Sequence, residues 1–159
     1  MMSTPMQVVK AMEAALARSD NDMTPWFHPD FVWEGNRGCG VKRGLAAFQR
    51  DWQAPWRAAF SERDYVTELW MEDGDWAACH GACIGTHSGV FMGIAPTGRR
   101  LRIPYIDFWR IREGRIVYNK VSVDFAEALH QLGVDVFGGE GWEAFDRGDK
   151  VPPALVGRG

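Results

Sequence analysis

The stretch YIDFWRIREGRIVYNKVSVD, residues 105–124, decides the fold, because it predicts two long β-strands joined by a tight turn at Glu113-Gly114. Such a turn fixes which residues of the two strands face each other. The second strand is nearly all apolar or β-branched, except that Lys120 stands in its middle. A strand suited to a core therefore carries a lysine, and the register of the hairpin predicts what that lysine faces.

In the expected register Lys120 lies directly opposite Asp107, on a face rich in aromatic side chains. An exposed cross-strand ion pair would be worth about 1 kcal/mol or less. The aromatic neighbours favour another interpretation, in which both groups point into an enclosed pocket. Two carboxyl groups there, only one of them paired, would have different pKa values and could serve as acid and base. The other residues on this predicted face are Ile103, Tyr105, Trp109, Tyr118, Ser122 and Asp124.

A second hairpin is predicted around Asp73-Gly74, and its register places His80 opposite Thr67 in an otherwise apolar stripe. A lone histidine in such a stripe is commonly a core residue with satisfied hydrogen bonds. If both hairpins turn these faces to the same side, His80 instead joins the polar cluster around Asp107.

The N-terminal half of the chain predicts two helices. Thr4 and Gln7 form a capping box at the start of the first, and Pro5 suits its first position. In the second, over residues 44–60, Pro55 should bend or break the helix. Helices followed by a meander of long strands predict an α+β fold, with the helices on one face of a curved antiparallel sheet. The apolar stripe of the second helix, which is core or covers a cavity, comprises Leu45, Phe48, Trp52, Trp56 and Ala59.

Composition points to one soluble globular domain, since 46% of the 159 residues are hydrophobic and 25% are charged. We expect residues 1–133 to form the domain and residues 134–159 a tail that packs on it or on a second subunit. The net charge of −3 gives no general attraction to nucleic acid or acidic membranes. No apolar run is long enough to span a membrane, and the N terminus lacks the pattern of a secretory signal. A cytoplasmic protein is therefore expected.

The eight tryptophans suggest either an aromatic core or a pocket lined with flat side chains for a ring-bearing ligand. The three cysteines argue against a disulfide scaffold. A metal site formed by Cys79, Cys83, His80 and His87 is not expected, because its spacing matches none of the usual zinc patterns. Strand alternation also puts His80 on the face opposite the two cysteines.

Three segments, GTHSGVFMGIAPTGRRL, DFWRIREGRIV and VDFAEALHQLG, resemble in order and spacing the SnoaL-like polyketide cyclases of the nuclear-transport-factor-2-like superfamily. The clear match covers residues 81–133, and FHPDFVWEG with RGLAAFQRDWQ extends it toward the N terminus. The resemblance implies a cone: a curved sheet of a cystatin-like roll, wrapped by about three helices around a deep pocket, commonly in a homodimer. In these cyclases an aspartate serves as acid and base for an intramolecular aldol ring closure, without metal or cofactor.

By position, the resemblance puts Asp107 at the pocket carboxyl or histidine position, and Asp124 at the aspartate before the closing helix. His80 falls where relatives place a pocket arginine or another polar group. Lys120 is a departure, because relatives commonly have tryptophan there. A pocket lysine could stabilise an oxyanion, keep Asp107 charged, or bind a phenolate or carboxylate of the substrate.

The preferred hypothesis is a cofactor-independent enzyme that makes or breaks a carbon–carbon bond, as a cyclase or lyase, on a hydrophobic, aromatic small molecule. Asp107 is the predicted general base, Lys120 its electrostatic partner, and His80 or Asp124 the second acid/base. The predicted substrate-binding residues are Tyr105, Trp109, Tyr118, Trp52, Trp56 and Trp33.

Two alternatives stay open. The same scaffold could run an isomerase, epoxide-hydrolase or dehydratase reaction; an epoxide hydrolase would need Asp124, Asn119 and Tyr118 to position a water. It could also be a binding or dimerisation module without catalysis. In that case Asp107 and Lys120 would lie open to bulk water, and the tryptophans would fill the interior.

Overall fold

The computed structural model describes residues 2–18, 20 and 22–152. Its helices are α1 (Pro5–Ala17), α2 (Leu45–Phe48), α3 (Ala54–Ala59) and α4 (Phe125–Gln131), with a π-helical segment (Gln49–Gln53) joining α2 to α3 and a 3₁₀ turn (Trp142–Ala144) near the end. Its strands are β1 (Phe27–Glu34), β2 (Val41–Arg43), β3 (Phe60–Asp73), β4 (Trp76–His87), β5 (Arg100–Arg112) and β6 (Arg115–Val123). Among the described residues, no helix combines the length and apolar character that crossing a bilayer requires.

The six strands form one curved sheet in the order β2-β1-β6-β5-β4-β3. Only β1 and β6 pair in parallel among the described strands; the other neighbours are antiparallel. Helix α1 packs across β3, β4, β5 and β6, and α2 and α3 contact strands at the two edges of the sheet. The face that these helices cover is called the inner face here, and the opposite one the outer face. The predicted α+β cone, a curved sheet wrapped by helices, is confirmed.

Both helical predictions are confirmed in their main features. The Thr4 hydroxyl accepts the Gln7 backbone N–H at 3.3 Å, and the Gln7 side chain accepts the Thr4 N–H at 2.9 Å. The second helix is continuous through Pro55, and the five residues Gln49–Gln53 take π-helical geometry. Pro55 therefore does not break the helix.

The β5–β6 hairpin turns where predicted, but its register changes after the second residue pair. Strand β6 contains one extra residue, Val117, which forms a β-bulge. One extra residue exchanges the two faces of the rest of the strand. Lys120 therefore pairs with Phe108, and Asp107 pairs with Val121. The predicted pairing of Asp107 with Lys120 is wrong for this reason.

The β3–β4 hairpin also differs from its predicted register. Asp73 pairs with Trp76, so the loop begins one residue later than expected. His80 consequently pairs with Leu69 on β3 and with Ile106 on β5, rather than with Thr67. The apolar stripe around His80 exists as predicted, but it lies on the outer face of the sheet.

A second bulge bends β3 at Glu68, between Thr67 and Leu69. The opposing residue is Gly81, and a Cβ placed there would lie 2.2 Å from the carbonyl oxygen of Val66. The two backbones therefore approach more closely than any other residue type would allow. The close approach follows from the curvature that shapes the inner face.

Residues 134–152 form a loop built around Lys150. Its ammonium donates hydrogen bonds to the carbonyl oxygens of Phe137 at 3.0 Å and Glu140 at 2.7 Å. Trp142 in this loop is 66% exposed. The division into a domain over residues 1–133 and a packing tail over residues 134–159 stays a prediction, and residues 153–159 lie outside the described residues.

Candidate active site

A cavity of about 740 Å³ lies between the inner face of the sheet and the helices that cover it. Its walls are dominated by flat aromatic side chains. On one side Trp52 stacks between Trp33, at 4.6 Å, and Trp56, at 5.4 Å between ring centroids. On the other side Trp70 stacks on Trp109 at 5.8 Å. A space of this size and lining suits a planar, multi-ring molecule.

Asp107 projects into this cavity from the middle of β5. Its Oδ1 accepts a hydrogen bond from the Asn119 side-chain amide at 2.9 Å, and the same amide nitrogen donates to the Phe108 carbonyl at 3.2 Å. Burial raises the pKa of Asp107 to about 7, with a further rise from Glu13 and an opposing effect of the Asn119 hydrogen bond. A carboxyl group with such a pKa can both take and give a proton near neutral pH.

Glu13, on α1, is a second carboxyl group in the cavity wall. Burial raises its pKa to about 7, and the positive charge of Lys10 opposes that rise. The Lys10 ammonium forms no close ion pair with it within the described chain and instead lies 5.2 Å above the Trp70 ring. Of the carboxyl groups that line the cavity, Asp107 and Glu13 thus have pKa values raised to about 7, and they lie on different elements.

Five of the predicted substrate-binding residues line the cavity: Tyr105, Trp109, Trp33, Trp52 and Trp56. Strands β1 and β5, the π-helical segment and α3 supply them. Burial raises the pKa of the Tyr105 phenol, so that it stays protonated. These positions agree with the expectation of an aromatic pocket around Asp107.

Lys120 and Tyr118 do not line the cavity; the Val117 bulge places both on the outer side of β6. There the Lys120 ammonium binds Glu34 of β1 at 2.5 Å, and the Tyr118 hydroxyl donates to the same carboxylate at 2.7 Å. These two hydrogen bonds lower the pKa of Glu34. The lysine is thus a partner of a partly exposed surface carboxylate, and the predicted electrostatic pairing with Asp107 is absent.

His80 and Asp124 also lie away from the cavity. His80 is on the outer face, where its ring is 3.3 Å from the Glu68 carboxylate. Asp124 caps α4, and its Oδ1 accepts the Glu127 backbone N–H at 2.9 Å. Both residues border a shallow groove of the outer face rather than the pocket. The predicted cluster of His80, Asp124 and Lys120 around Asp107 is therefore wrong in its geometry.

The cysteines and histidines do not assemble as a metal site in the described ranges 2–18, 20 and 22–152. Cys79 and Cys83 point to the inner face, whereas their neighbour His80 points outward, as alternation predicts. The three cysteines are free thiols, and burial raises the pKa of Cys79 and Cys83. All three are buried, and Cys83 is the one that lines the cavity.

Two polar residues of the cavity, Asn119 and Glu13, are not among the site residues predicted from the sequence. Asn119 is only 7% exposed, and in sequence it is assigned to the face opposite Asp107. The alternation of Asn119, Val121 and Val123 with Lys120 and Ser122 is the signal that would have turned the lysine outward. In the first helix Met12 lies three residues after Val9 and Glu13 lies four after it, so helical spacing alone does not say which of the two faces inward.

Comparison with known proteins defines the class to which this fold and cavity belong. The SnoaL-like polyketide cyclase family model matches residues 6–132. This chain belongs to the SnoaL-like polyketide cyclase family.

Individual relatives agree with that assignment. The chain is 32% identical to nogalonic acid methyl ester cyclase of Streptomyces nogalater, over 77% of this chain and 91% of the relative. It is 30% identical to the aklanonic acid methyl ester cyclase DnrD of Streptomyces peucetius, over 89% of this chain and 99% of the relative. Among solved structures, wild-type IdmH from Streptomyces antibioticus superposes with a TM-score of 0.73 and 27% identity, covering 83% of this chain and 100% of that one.

Proposed function

We propose that this protein closes a carbon ring in an aromatic polyketide by an intramolecular aldol reaction, with Asp107 as the general acid/base. The observation that carries the proposal is the position of Asp107: a carboxyl group with a pKa raised to about 7, in a cavity walled by two stacks of tryptophan. No step of the proposed reaction is assigned to a metal or a cofactor.

The geometry suggests how the reaction proceeds. Ionised Asp107 removes a proton from a carbon next to a carbonyl group, and the carbanion attacks a second carbonyl of the same molecule. Asn119 binds Oδ1 of Asp107, which leaves Oδ2 to face the substrate. The tryptophan stacks hold the rings flat, so that the two reacting carbons are brought together without a further loss of freedom.

The relatives support the choice of substrate class. Two of them are named as cyclases of the methyl esters of nogalonic and aklanonic acid. A cavity of about 740 Å³ has the size for a multi-ring ester of this kind. We therefore propose a polycyclic aromatic methyl ester as the substrate.

The test is to incubate the purified protein with each of these two methyl esters and to analyse the products by mass spectrometry and NMR. An aldol closure yields a ring-closed isomer of unchanged mass. Asp107→Asn, which keeps the hydrogen bond to Asn119, should lower kcat by about 100-fold or more. Full activity in this folded variant would overturn the role of Asp107.

An isomerase, epoxide-hydrolase or dehydratase reaction is the alternative on the same scaffold. Of the three residues that could position a water for an epoxide hydrolase, Asn119 is in the cavity, whereas Asp124 and Tyr118 are outside it. A reaction run in water enriched in oxygen-18 separates an epoxide hydrolase from ring closure, because only the hydrolase adds a solvent oxygen to its product. A product labelled in this way would contradict the ring-closure proposal.

A module that only binds or dimerises is the remaining alternative. The hypothesis of a non-catalytic module requires both Lys120 and Asp107 to lie open to solvent. Lys120 does so, whereas Asp107 is buried in the cavity. The tryptophans flank a cavity instead of filling the interior. These two features favour an enzyme over a non-catalytic module.

We further propose that the protein forms a homodimer through the outer face of the sheet. An exposed apolar surface of this extent commonly marks an interaction site. The residues of this outer-face patch are Val66, Leu69, Met71, Ile106 and Phe108, which are 39–57% exposed.

A further inference from the structure

Glu13 has no role in the reaction proposed so far, although it faces the same cavity as Asp107. It lies on α1, which packs across the strand that carries Asp107, so the two carboxyl groups project from different walls of one space. Their charges are close enough for Glu13 to raise the pKa of Asp107. A charged residue on the buried side of an amphipathic helix lowers the stability of the fold unless the charge is paired and hydrogen-bonded.

The described surroundings of Glu13 do not pair its carboxyl group in this way. Burial and the charge of Lys10 are what act on its pKa, and no described residue hydrogen-bonds its carboxyl group strongly enough to shift it. Lys10 itself is engaged with the Trp70 ring. By contrast, Asp107 is held by Asn119. Glu13 therefore keeps both oxygens available to a molecule in the cavity.

Ring closure by an aldol reaction has a step for such a group, because a second carboxyl group can give a proton while Asp107 takes one. When the new carbon–carbon bond forms, the attacked carbonyl oxygen becomes an alkoxide, which must receive a proton. The phenols of Tyr65 and Tyr105 are weak proton donors, because burial raises the pKa of both. A protonated carboxyl group on α1, in the same cavity as the base, is a stronger acid than either phenol and can serve this step.

We propose that Glu13 is the general acid of the reaction. The carbanion that Asp107 generates attacks a carbonyl carbon, the carbonyl oxygen becomes an alkoxide, and Glu13 donates a proton to that oxygen. This inference rests on the proposed function. Asp107 takes one proton from a carbon of the substrate and Glu13 gives one to an oxygen, so the number of protons on the substrate is unchanged. The proton then returns from Asp107 to Glu13, directly or through water in the cavity, before the next turnover.

The required protonation states predict a bell-shaped dependence of kcat on pH. Asp107 must be ionised, so the rate rises with pH on the acidic side, and Glu13 must be protonated, so the rate falls on the basic side. Because the two groups interact, the two apparent pKa values belong to the pair. The other titratable or charged groups that face this pair, from α1, α3, β3, β4 and β5, are Lys10, Arg57, Arg63, Asp64, Tyr65, Cys79, Cys83 and Tyr105.

The experiment compares Glu13→Gln and Glu13→Asp with the wild type on the methyl ester that the wild type cyclises. Glu13→Gln should lower kcat by about 100-fold with little change in KM, and it should abolish the basic limb of the pH profile. Glu13→Asp should keep that limb and recover part of the rate. Asp51→Asn serves as the matched control, because this helical carboxylate is paired with Arg50 outside the cavity.

The outcomes separate this inference from the proposed function. Wild-type kcat and an unchanged basic limb in Glu13→Gln would overturn the role of Glu13, while loss of activity in Asp107→Asn would still support the ring closure. If Glu13→Gln does not fold, judged by circular dichroism, the pH profile of Glu13→Asp decides. A basic limb lost in Glu13→Asp would also overturn the proposal, since its carboxyl group is retained.

Discussion

At the scale of single residues, the site depends on which way one side chain of β6 points. Asn119, and not Lys120, is the neighbour of Asp107. Sequence alternation identifies Asp107 and its aromatic company correctly, because β5 is regular through that stretch. The prediction fails for Lys120, because it takes the register from the turn, and the extra residue in β6 exchanges the faces beyond the turn. The lysine's true partner, Glu34, is more than 80 residues away in the chain.

The raised pKa of Asp107 predicts how stability depends on pH. Its pKa is about 7 in the folded protein, above the ordinary value of 3.8, so folding favours the protonated form. The stability that this form provides is complete below about pH 4 and is lost as the pH rises through 7. Asp107→Asn cannot ionise, and it should therefore be more stable than the wild type at pH 8, by on the order of 3 kcal/mol.

Urea unfolding of both proteins at pH 4.5 and pH 8 measures this effect. The free energy of unfolding of the wild type should fall more steeply between the two pH values than that of Asp107→Asn. The free energy of unfolding of Glu13→Gln should also fall less steeply between the two pH values than that of the wild type. Equal slopes in all three proteins would show that the two carboxyl groups titrate at ordinary values.

At the scale of elements, two β-bulges shape the cavity. The sequence predicts both hairpins, the capped α1, the second helix and the closing helix, because turn and cap residues act locally. It does not predict the bulges at Val117 and Glu68, or the parallel pairing of β1 with β6. These features arise from curvature and from contacts between distant segments.

Gly81 offers a direct test of the bend in β3 and β4. Gly81→Ala should lower the free energy of unfolding by about 2–3 kcal/mol, because the new methyl group would overlap the Val66 carbonyl. Gly85→Ala is the matched control on the same strand, where the nearest atom, Cβ of Phe60, is 3.3 Å away and the cost should be smaller. Thermal and urea denaturation compare the two. Equal stability of the two variants would mean that the bend tolerates a side chain.

At the scale of the whole molecule, the sheet separates two surfaces with different tasks. The inner face holds the cavity, and the outer face carries the apolar patch proposed as the dimer interface. Successive side chains of a strand point to opposite faces of the sheet, so the sequence predicts which residues share a face. It does not predict which of the two faces the helices cover. That ambiguity is why His80 is expected in the pocket and found outside it.

Light scattering coupled to size-exclusion chromatography tests the dimer. The wild type should have twice the 17.9 kDa mass of one chain. Phe108→Glu, which puts a charge in the outer-face patch, should reduce the mass to that of a monomer, because a buried unpaired carboxylate is costly. Val90→Glu alters an apolar residue outside the patch, 65% exposed against 43% for Phe108, and should leave the mass unchanged. A monomeric wild type would remove the proposal.

The turnover of Asp107→Asn, set beside that of Lys120→Met, tests the central claim most directly, because the two side chains lie on opposite faces of the same hairpin. With the methyl ester that the wild type cyclises, Asp107→Asn should lose about 100-fold or more in kcat. Lys120→Met should stay close to the wild type, since its ammonium only pairs with Glu34 on the surface. A loss in Lys120→Met as large as that in Asp107→Asn would contradict an active site built on the inner face.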